Sequence, residues 1–345
     1  MKAAQYFGPH DIRVVSTSTP VPQAHEALIA VSYAGICGSD LHEYLHGPFS
    51  CPPASRPHPL TNQSIPVTLG HEFVGRIVSA PSSFSKLQEG TPIIVDPRLY
   101  CRACKKCNDG FTHGCEVLGF KGLSGGGGGF AEKVCVDARQ VYVLPNHVNM
   151  TEAALIEPLA VAWHAIKTTG IEDWRARSAL VIGGGPVGIA VMIVLRAFGC
   201  NNIVVSEPTR VRARQSKSVA DVVLNPLEED IGTRCREMTA GEGVDVVFDC
   251  AGNQKGFEAG MDAMQIPFFP FLLKEVTIKC CLAYTDDEFK GVVDAFVAGR
   301  FKNLETMVTS KIHIDDIVSK GFDELVKNRD QHVKILVGPH SRTSE

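Results

Sequence analysis

The sequence predicts an α/β chain in two unlike parts: a mostly β segment and a doubly wound parallel sheet that lacks one strand. Three observations carry this. The N-terminal part is built of short apolar runs broken by Pro and Gly, among them "EALIAVSYAG", "EFVGRIVSA", "TPIIVDP" and "FAEKVCV". Beyond them strand-like and helical runs alternate, through "SALVIGGGPVGIAVMIVLRAFGCNNIVVSEP" to "DVVLN" and "VDVVFDC". After "VDVVFDC", only Ala251 to Glu275 precede the next strand-like run, "VTIKC". That leaves room for one crossover where such a sheet needs two.

Composition sets the outer bounds. A chain of 345 residues suits about two domains and buries a core without staples, so twelve cysteines are too dilute for a disulfide scaffold. The opening "MKAAQYFGPHDIRVV" has no charged-then-apolar signal pattern, and the apolar run "IAVMIVL" meets Arg196 far short of a membrane span. A soluble, cytoplasmic protein with no membrane partner is expected. A net charge of −4, 21% charged residues and no basic run argue against a nucleic-acid partner.

Within the β part, "AGICGSDLHEY" and "VTLGHEFVGRI" bring Cys37 and His71, and "ALIEPLAVAWHAI" follows with Glu157. A thiolate, an imidazole and a carboxylate are the mix expected of a catalytic zinc that keeps one position open. Each also has a plain structural reading: a core cysteine, a buried hydrogen-bonded histidine and a helix-start carboxylate.

"CRACKKCNDGFTHGC" places Cys101, Cys104, Cys107 and Cys115 at C-x2-C-x2-C-x7-C spacing. One short loop can wrap four thiolates around a tetrahedral zinc, leaving no position for a substrate, so the site is structural. The adjacent Lys105 and Lys106 offset part of the thiolate charge. An iron–sulfur cluster is the rival reading. Gly125 to Gly129 read as a flexible loop, not a phosphate cradle, because no helix follows. His164 reads as a packed helix residue.

The second part carries G-x-G-x-x-G as Gly183, Gly185 and Gly188, between an apolar strand and a helix. Gly183 permits the tight turn, Gly185 admits a pyrophosphate to the backbone, and Gly188 lets helix and strand close up. Glu207, ending the next strand, is the acidic partner expected about 20 residues on. A carboxylate about 4 Å from a 2′-phosphate repels it by roughly 4 kcal/mol per charge pair at an effective dielectric of 20, which favours NAD over NADP. Arg212 is read either as a ribose contact or as part of a solvated helix face.

In order and spacing, "AGICGSDLHEY", "LGHE", the four-cysteine run, "EPLAVAWHA" and "GGGPVG" followed by "SEP" resemble the zinc-containing medium-chain dehydrogenases. The butanediol branch is nearest, through "PHPLTNQSIPVTLGHEF", "GFKGLSGGGGGFAEKV", "CLAYTDDEF" and the tail "HVKILV"; the sorbitol branch comes next. The resemblance covers nearly the whole chain. It implies a GroES-like catalytic domain at 1–159 with a C-terminal return at 300–345, flanking a Rossmann domain at 160–299. It implies two zinc ions per chain and NAD, with a small alcohol or diol as substrate and a homo-oligomer, dimer or tetramer. The catalytic zinc falls to Cys37, His71 and Glu157, with Glu72 as an alternate ligand. Asp40 orients the ligand histidine, Ser39 and His42 relay the alcohol proton to solvent, and Val187 packs on the nicotinamide.

One departure stands out. Gln265 runs straight into Ile266, where relatives continue into a glycine-led strand and its loop. The shortened sheet must then seat "VTIKC" directly beside "VDVVFDC", displacing Ala283 and Tyr284 from the cofactor, or leave an open edge beside "IPFFPFLL".

Overall fold

A computed structural model describes residues 1–264 and 275–339. The strands are β1 (Lys2–Gly8), β2 (Asp11–Ser16), β3 (Glu26–Gly35), β4 (Val67–Thr68), β5 (Glu72–Ser79), β6 (Pro92–Val95), β7 (Arg98–Leu99), β8 (Gly119–Phe120), β9 (Lys133–Asp137), β10 (Val141–Val143), β11 (Ser178–Ile182), β12 (Asn202–Ser206), β13 (Val222–Leu224), β14 (Val246–Asp249), β15 (Val308–His313) and β16 (Lys334–Gly338). Among the helices are α1 (Gly38–His46), α2 (Lys105–Asn108), α3 (Met150–Ala153), α4 (Ile156–Thr168), α5 (Pro186–Ala197), α6 (Arg210–Ser216), α7 (Ile231–Met238), α8 (Gln254–Ala263) and α9 (Asp286–Val297).

The long strand β3 organises the N-terminal part. Its Ala27, Ile29, Val31 and Ala34 pack into the core, and it pairs antiparallel with β5, β9 and β16. The sheet runs β10-β6-β5-β3-β16-β15 with β9 also on β3, so the last two strands of the chain return into the first sheet. A three-stranded sheet, β2-β1-β4, lies alongside. Ile29, Val31, Phe73, Ile93, Phe130 and Ile335 are among the buried residues of their common core.

The second sheet is parallel, in the order β13-β12-β11-β14. β11 reads SALVI and is buried at every position, as a parallel strand covered on both faces must be. α5 starts with Pro186 at its first turn, where the missing N–H costs nothing, and buries every residue from Gly188 to Leu195. A helix apolar all round belongs inside, and α5 packs on α4 and β11.

Three expectations meet this structure differently. The run "VTIKC" is not a strand: residues 276–282 carry no ladder and most are exposed, Ile278 by 58% and Leu282 by 63%. A strand without a partner has nothing to hold it extended. Among the described residues the parallel sheet ends at β14 with no strand beside it, as in the open-edge alternative, and Ala283 and Tyr284 are buried in the main core. The junction at 265/266 and the run "IPFFPFLL" lie outside the described residues. Gly125 to Gly129 are not a loose loop. Gly128 and Gly129 are buried, Gly129 N–H donates to Gly70 O at 2.7 Å, and a Cβ on Gly128 would lie 2.4 Å from Leu69 O.

Candidate active site

α1 starts at Cys37, and Asp40 Oδ2 accepts the Cys37 N–H at 2.9 Å, capping the free helix terminus. The other oxygen, Oδ1, lies 3.5 Å from His71 Nδ1; both atoms are buried and neither has a well-formed hydrogen bond. Asp40 thus faces the ring nitrogen turned away from Ser39, whose Oγ lies 3.2 Å from His71 Nε2. A carboxylate on the far nitrogen fixes which nitrogen is left to bind a metal. Burial favours a neutral His71 ring, yet Asp40 foremost holds its pKa well above the ordinary value.

The structure gathers Cys37, His71 and Glu72: one donor atom of each lies within 4.8 Å of the others. The expected set had Glu157 completing the three and Glu72 as the alternate; here Glu72 is the carboxylate that stands within the compact group. Glu157, in the first turn of α4, stands outside that compact group, and its Oε1 accepts from the Tyr284 hydroxyl at 3.0 Å. Burial and then the charge of Glu72 push its pKa up to about 7. Glu72 opens β5 opposite Gly35, where a Cβ would lie 2.2 Å from Glu72 Oε2. Only glycine leaves that carboxylate its space. The soft-plus-hard donor set fits zinc.

Glu72 meets a residue that was not singled out. Lys334, at the start of β16, places its Nζ 2.8 and 2.7 Å from the two Glu72 oxygens, with both side chains buried. Burial alone would raise the acid and lower the amine, but the ion pair reverses both shifts. A lysine inside the buried run KILVG was the available signal.

His42 is exposed one turn beyond Ser39 on α1, so the two share a helix face.

The four cysteines also meet. Cys101 Sγ lies 3.9 Å from Cys107 Sγ and 3.6 Å from Cys115 Sγ, and Cys104 Sγ lies 4.0 Å from Cys115 Sγ. A tetrahedral zinc with bonds of about 2.3 Å needs sulfur–sulfur edges of about 3.8 Å. All four thiols are free of disulfides. The backbone N–H groups of Cys101 and Cys104 point at cluster sulfurs at 3.3 and 3.2 Å. Lys105 is not spent on the thiolates as expected: it pairs with Asp109 at 2.5 Å, and Lys106 reaches over the Phe111 ring.

At the glycine turn, Gly183 adopts φ +95° and a Cβ on Gly188 would lie 1.9 Å from Gly183 O. Gly185 caps α5, and Val187 in its first turn is 44% exposed. Glu207 is buried beneath the turn, where Oε2 accepts from Gly184 N–H at 2.7 Å and Oε1 from Thr209. A carboxylate has acceptor capacity left for a ribose hydroxyl. Arg212 is half-buried and does not lie on a solvated face. Its Nη2 donates to the carbonyls of Arg329 and His332, while Nη1 faces Gly185.

His164 is packed as expected: its Nδ1 is 2.8 Å from Glu288 Oε2, and its ring lies 4.8 Å from that of His113. Among the described residues no helix is long and apolar enough to cross a membrane.

Residues 23–146 match the model of the alcohol dehydrogenase GroES-like domain, and residues 186–266 that of the zinc-binding dehydrogenases. The chain is 33% identical to an (R,R)-butanediol dehydrogenase of Neisseria gonorrhoeae, over 99% of this chain and all of that one. It is 34% identical to the (R,R)-butanediol dehydrogenase of Bacillus subtilis at the same coverage. The crystal structure of 2R,3R-butanediol dehydrogenase from Bacillus subtilis superposes with a TM-score of 0.90 at 33% identity, covering 98% of this chain and 99% of that one. A putative zinc-binding dehydrogenase from Sinorhizobium meliloti bound to NADP gives 0.85 at 26% identity, covering 98% and 99%. Two metal-ready clusters, a dinucleotide turn and these likenesses converge: the chain belongs to the zinc-containing medium-chain alcohol dehydrogenases and is an oxidoreductase.

Proposed function

We propose that this chain oxidises a vicinal diol, 2,3-butanediol to acetoin, with NAD, and catalyses the reverse. The observation that carries this reading is the full-length likeness to named butanediol dehydrogenases, joined to a donor group of Cys37, His71 and Glu72 that fits zinc. Zinc, when bound, supplies the Lewis acid that lowers an alcohol oxygen from a pKa of about 16 toward about 7. Nine units correspond to roughly 12 kcal/mol, which a hydrogen bond of about 1 kcal/mol from Ser39 could not replace.

The chain's own residues do the rest. Asp40 holds the His71 ring, Ser39 accepts the substrate proton at the mouth of the site, and His42 exchanges it with water. Gly183, Gly185 and Gly188 admit the pyrophosphate, Glu207 takes the adenosine ribose, and Val187 packs on the nicotinamide. Cys37, His71 and Glu157 would hold the catalytic zinc, with Glu72 as the alternate ligand. Cys101, Cys104, Cys107 and Cys115 hold a second, structural zinc. The catalytic unit comprises 1–159 and 300–345, the cofactor unit 160–299, and the protein works as a cytoplasmic homo-oligomer.

A polyol reading has a specific support: the sorbitol dehydrogenase of Bacillus subtilis is 27% identical over 99% of this chain. A shortened sheet is supported too. The match to the Neisseria enzyme spans 358 aligned positions against 345 residues here, and the zinc-binding dehydrogenase match stops at 266. NADH formation by zinc-loaded, monodisperse protein with (R,R)-, (S,S)- and meso-2,3-butanediol and with sorbitol tests all three readings. Turnover of a butanediol is expected. Turnover of sorbitol alone transfers the chain to the polyol class, and no turnover at all means that the shortened sheet has cost the hydride acceptor.

A further inference from the structure

Tyr284 is shut off from solvent, and its hydroxyl donates to Glu157 Oε1 at 3.0 Å. Its own place is fixed from three sides. Arg98 Nη1 donates to the Tyr284 carbonyl, the guanidinium lies 4.7 Å from the ring centroid, and the ring stacks on Phe289 at 5.2 Å.

Arg98 in turn is fully buried and completely committed. Its Nε donates to Asp96 Oδ1 at 3.0 Å, Nη1 to Thr112 Oγ1 at 3.0 Å and Nη2 to Asp286 Oδ1 at 2.7 Å. Tyr100 and Thr112 donate to the same Asp286 carboxylate at 2.8 and 3.0 Å. Thr112 lies inside the four-cysteine loop, between Cys107 and Cys115, and Tyr100 immediately precedes Cys101. An unbroken line of hydrogen bonds therefore runs from the cysteine lobe through Arg98 to Tyr284 and ends on Glu157.

We propose that Tyr284 is the positioning residue for Glu157, and that the four-cysteine lobe holds Tyr284 in place through Arg98. Two buried carboxylates, Glu72 and Glu157, are near enough for the charge of Glu72 to act on Glu157. Glu72 has Lys334 to hold it, whereas Glu157 would swing away from a like charge unless a donor fixed it. Tyr284 is that donor. The lobe, which performs no chemistry, thereby sets the shape of the pocket that does. This inference rests on the reading that Glu157 faces the catalytic metal.

The test uses full-length protein loaded with zinc, and the same protein with its catalytic zinc exchanged for cobalt. Tyr284→Phe keeps the ring and removes the donor. Stripping by a chelator is expected in two phases, fast from the catalytic pocket and slow from the four thiolates. In Tyr284→Phe the fast phase accelerates about tenfold or more, the usual effect of removing a partner that orients a metal's surroundings. The slow phase and the melting temperature stay as in the parent, and the cobalt absorption bands shift. Thr112→Val, which touches no donor of the catalytic pocket, shifts those bands in the same direction by less.

Parent-like stripping and an unshifted cobalt spectrum in Tyr284→Phe overturn the proposal. A shift in Tyr284→Phe with none in Thr112→Val overturns the part assigned to the lobe. If the parent protein takes up one metal instead of two, it is the catalytic zinc of the proposed function that fails.

Discussion

The ammonium of Lys334 and the carboxylate of Glu72 meet at 2.7 and 2.8 Å with both side chains buried, although 262 residues separate them along the chain. Charges so placed depend on one another, because neither has water to fall back on. Replacing Lys334 by Met is expected to destabilise the metal-free protein by about 3–5 kcal/mol. Adding Glu72→Gln to that variant recovers at least half of the loss. Urea unfolding of the single and double variants checks this.

The Glu288 carboxylate gives the fold an acid-sensitive joint between α9 and α4. Burial would raise its pKa, but His164 and then the Thr285 N–H bring it down from the ordinary 4.5 to about 2. The stability it adds is therefore complete above about pH 4.5 and disappears as pH falls toward 2. Allowing for solvent screening, that is roughly 1–2 kcal/mol. Glu288→Gln should be less stable than the parent at pH 6, with the gap narrowing below pH 4.5 and closing only as pH falls to about 2 in denaturant titrations.

Gly188→Ala puts a methyl group where the Gly183 carbonyl stands. α5 must move away from β11, at a cost of about 1–3 kcal/mol. Because the glycine turn moves with it, NADH affinity should fall by at least about tenfold while zinc content is unchanged. Fluorescence titration with NADH and elemental analysis separate the two effects.

Cys104→Ser removes one corner of the sulfur tetrahedron. The variant should carry one zinc instead of two and melt several degrees lower, because metal-binding free energy in such a loop is folding free energy. Metal analysis of the purified variant checks the count, and a thermal melt the stability.

Much of this was legible in the sequence because the relevant residues are local. The cysteine spacing, the glycine turn and the Cys37–Asp40 helix start each lie within a few residues, so type and spacing reveal the geometry. The two sheets were legible from period and apolar run length. What could not be read depends on contacts across the chain. Whether Glu72 or Glu157 joins Cys37 and His71 turns on which carboxylate Tyr284 and Lys334 each capture, and those partners come from other elements. Arg98 looked like any charged loop residue; only folding surrounds it with Asp96, Thr112, Tyr284 and Asp286. The run "VTIKC" has the composition of a strand, and composition cannot supply a neighbour for it.

The return of β16 onto β3 also orders events during synthesis. Glu72 emerges from the ribosome early, whereas the lysine that neutralises it is made more than 250 residues later. Until then Glu72 lacks the partner that neutralises it on burial, so the first sheet is expected to close fully only after the parallel sheet has been translated. A nascent chain stalled before residue 334 is then expected to lack a finished place for the metal.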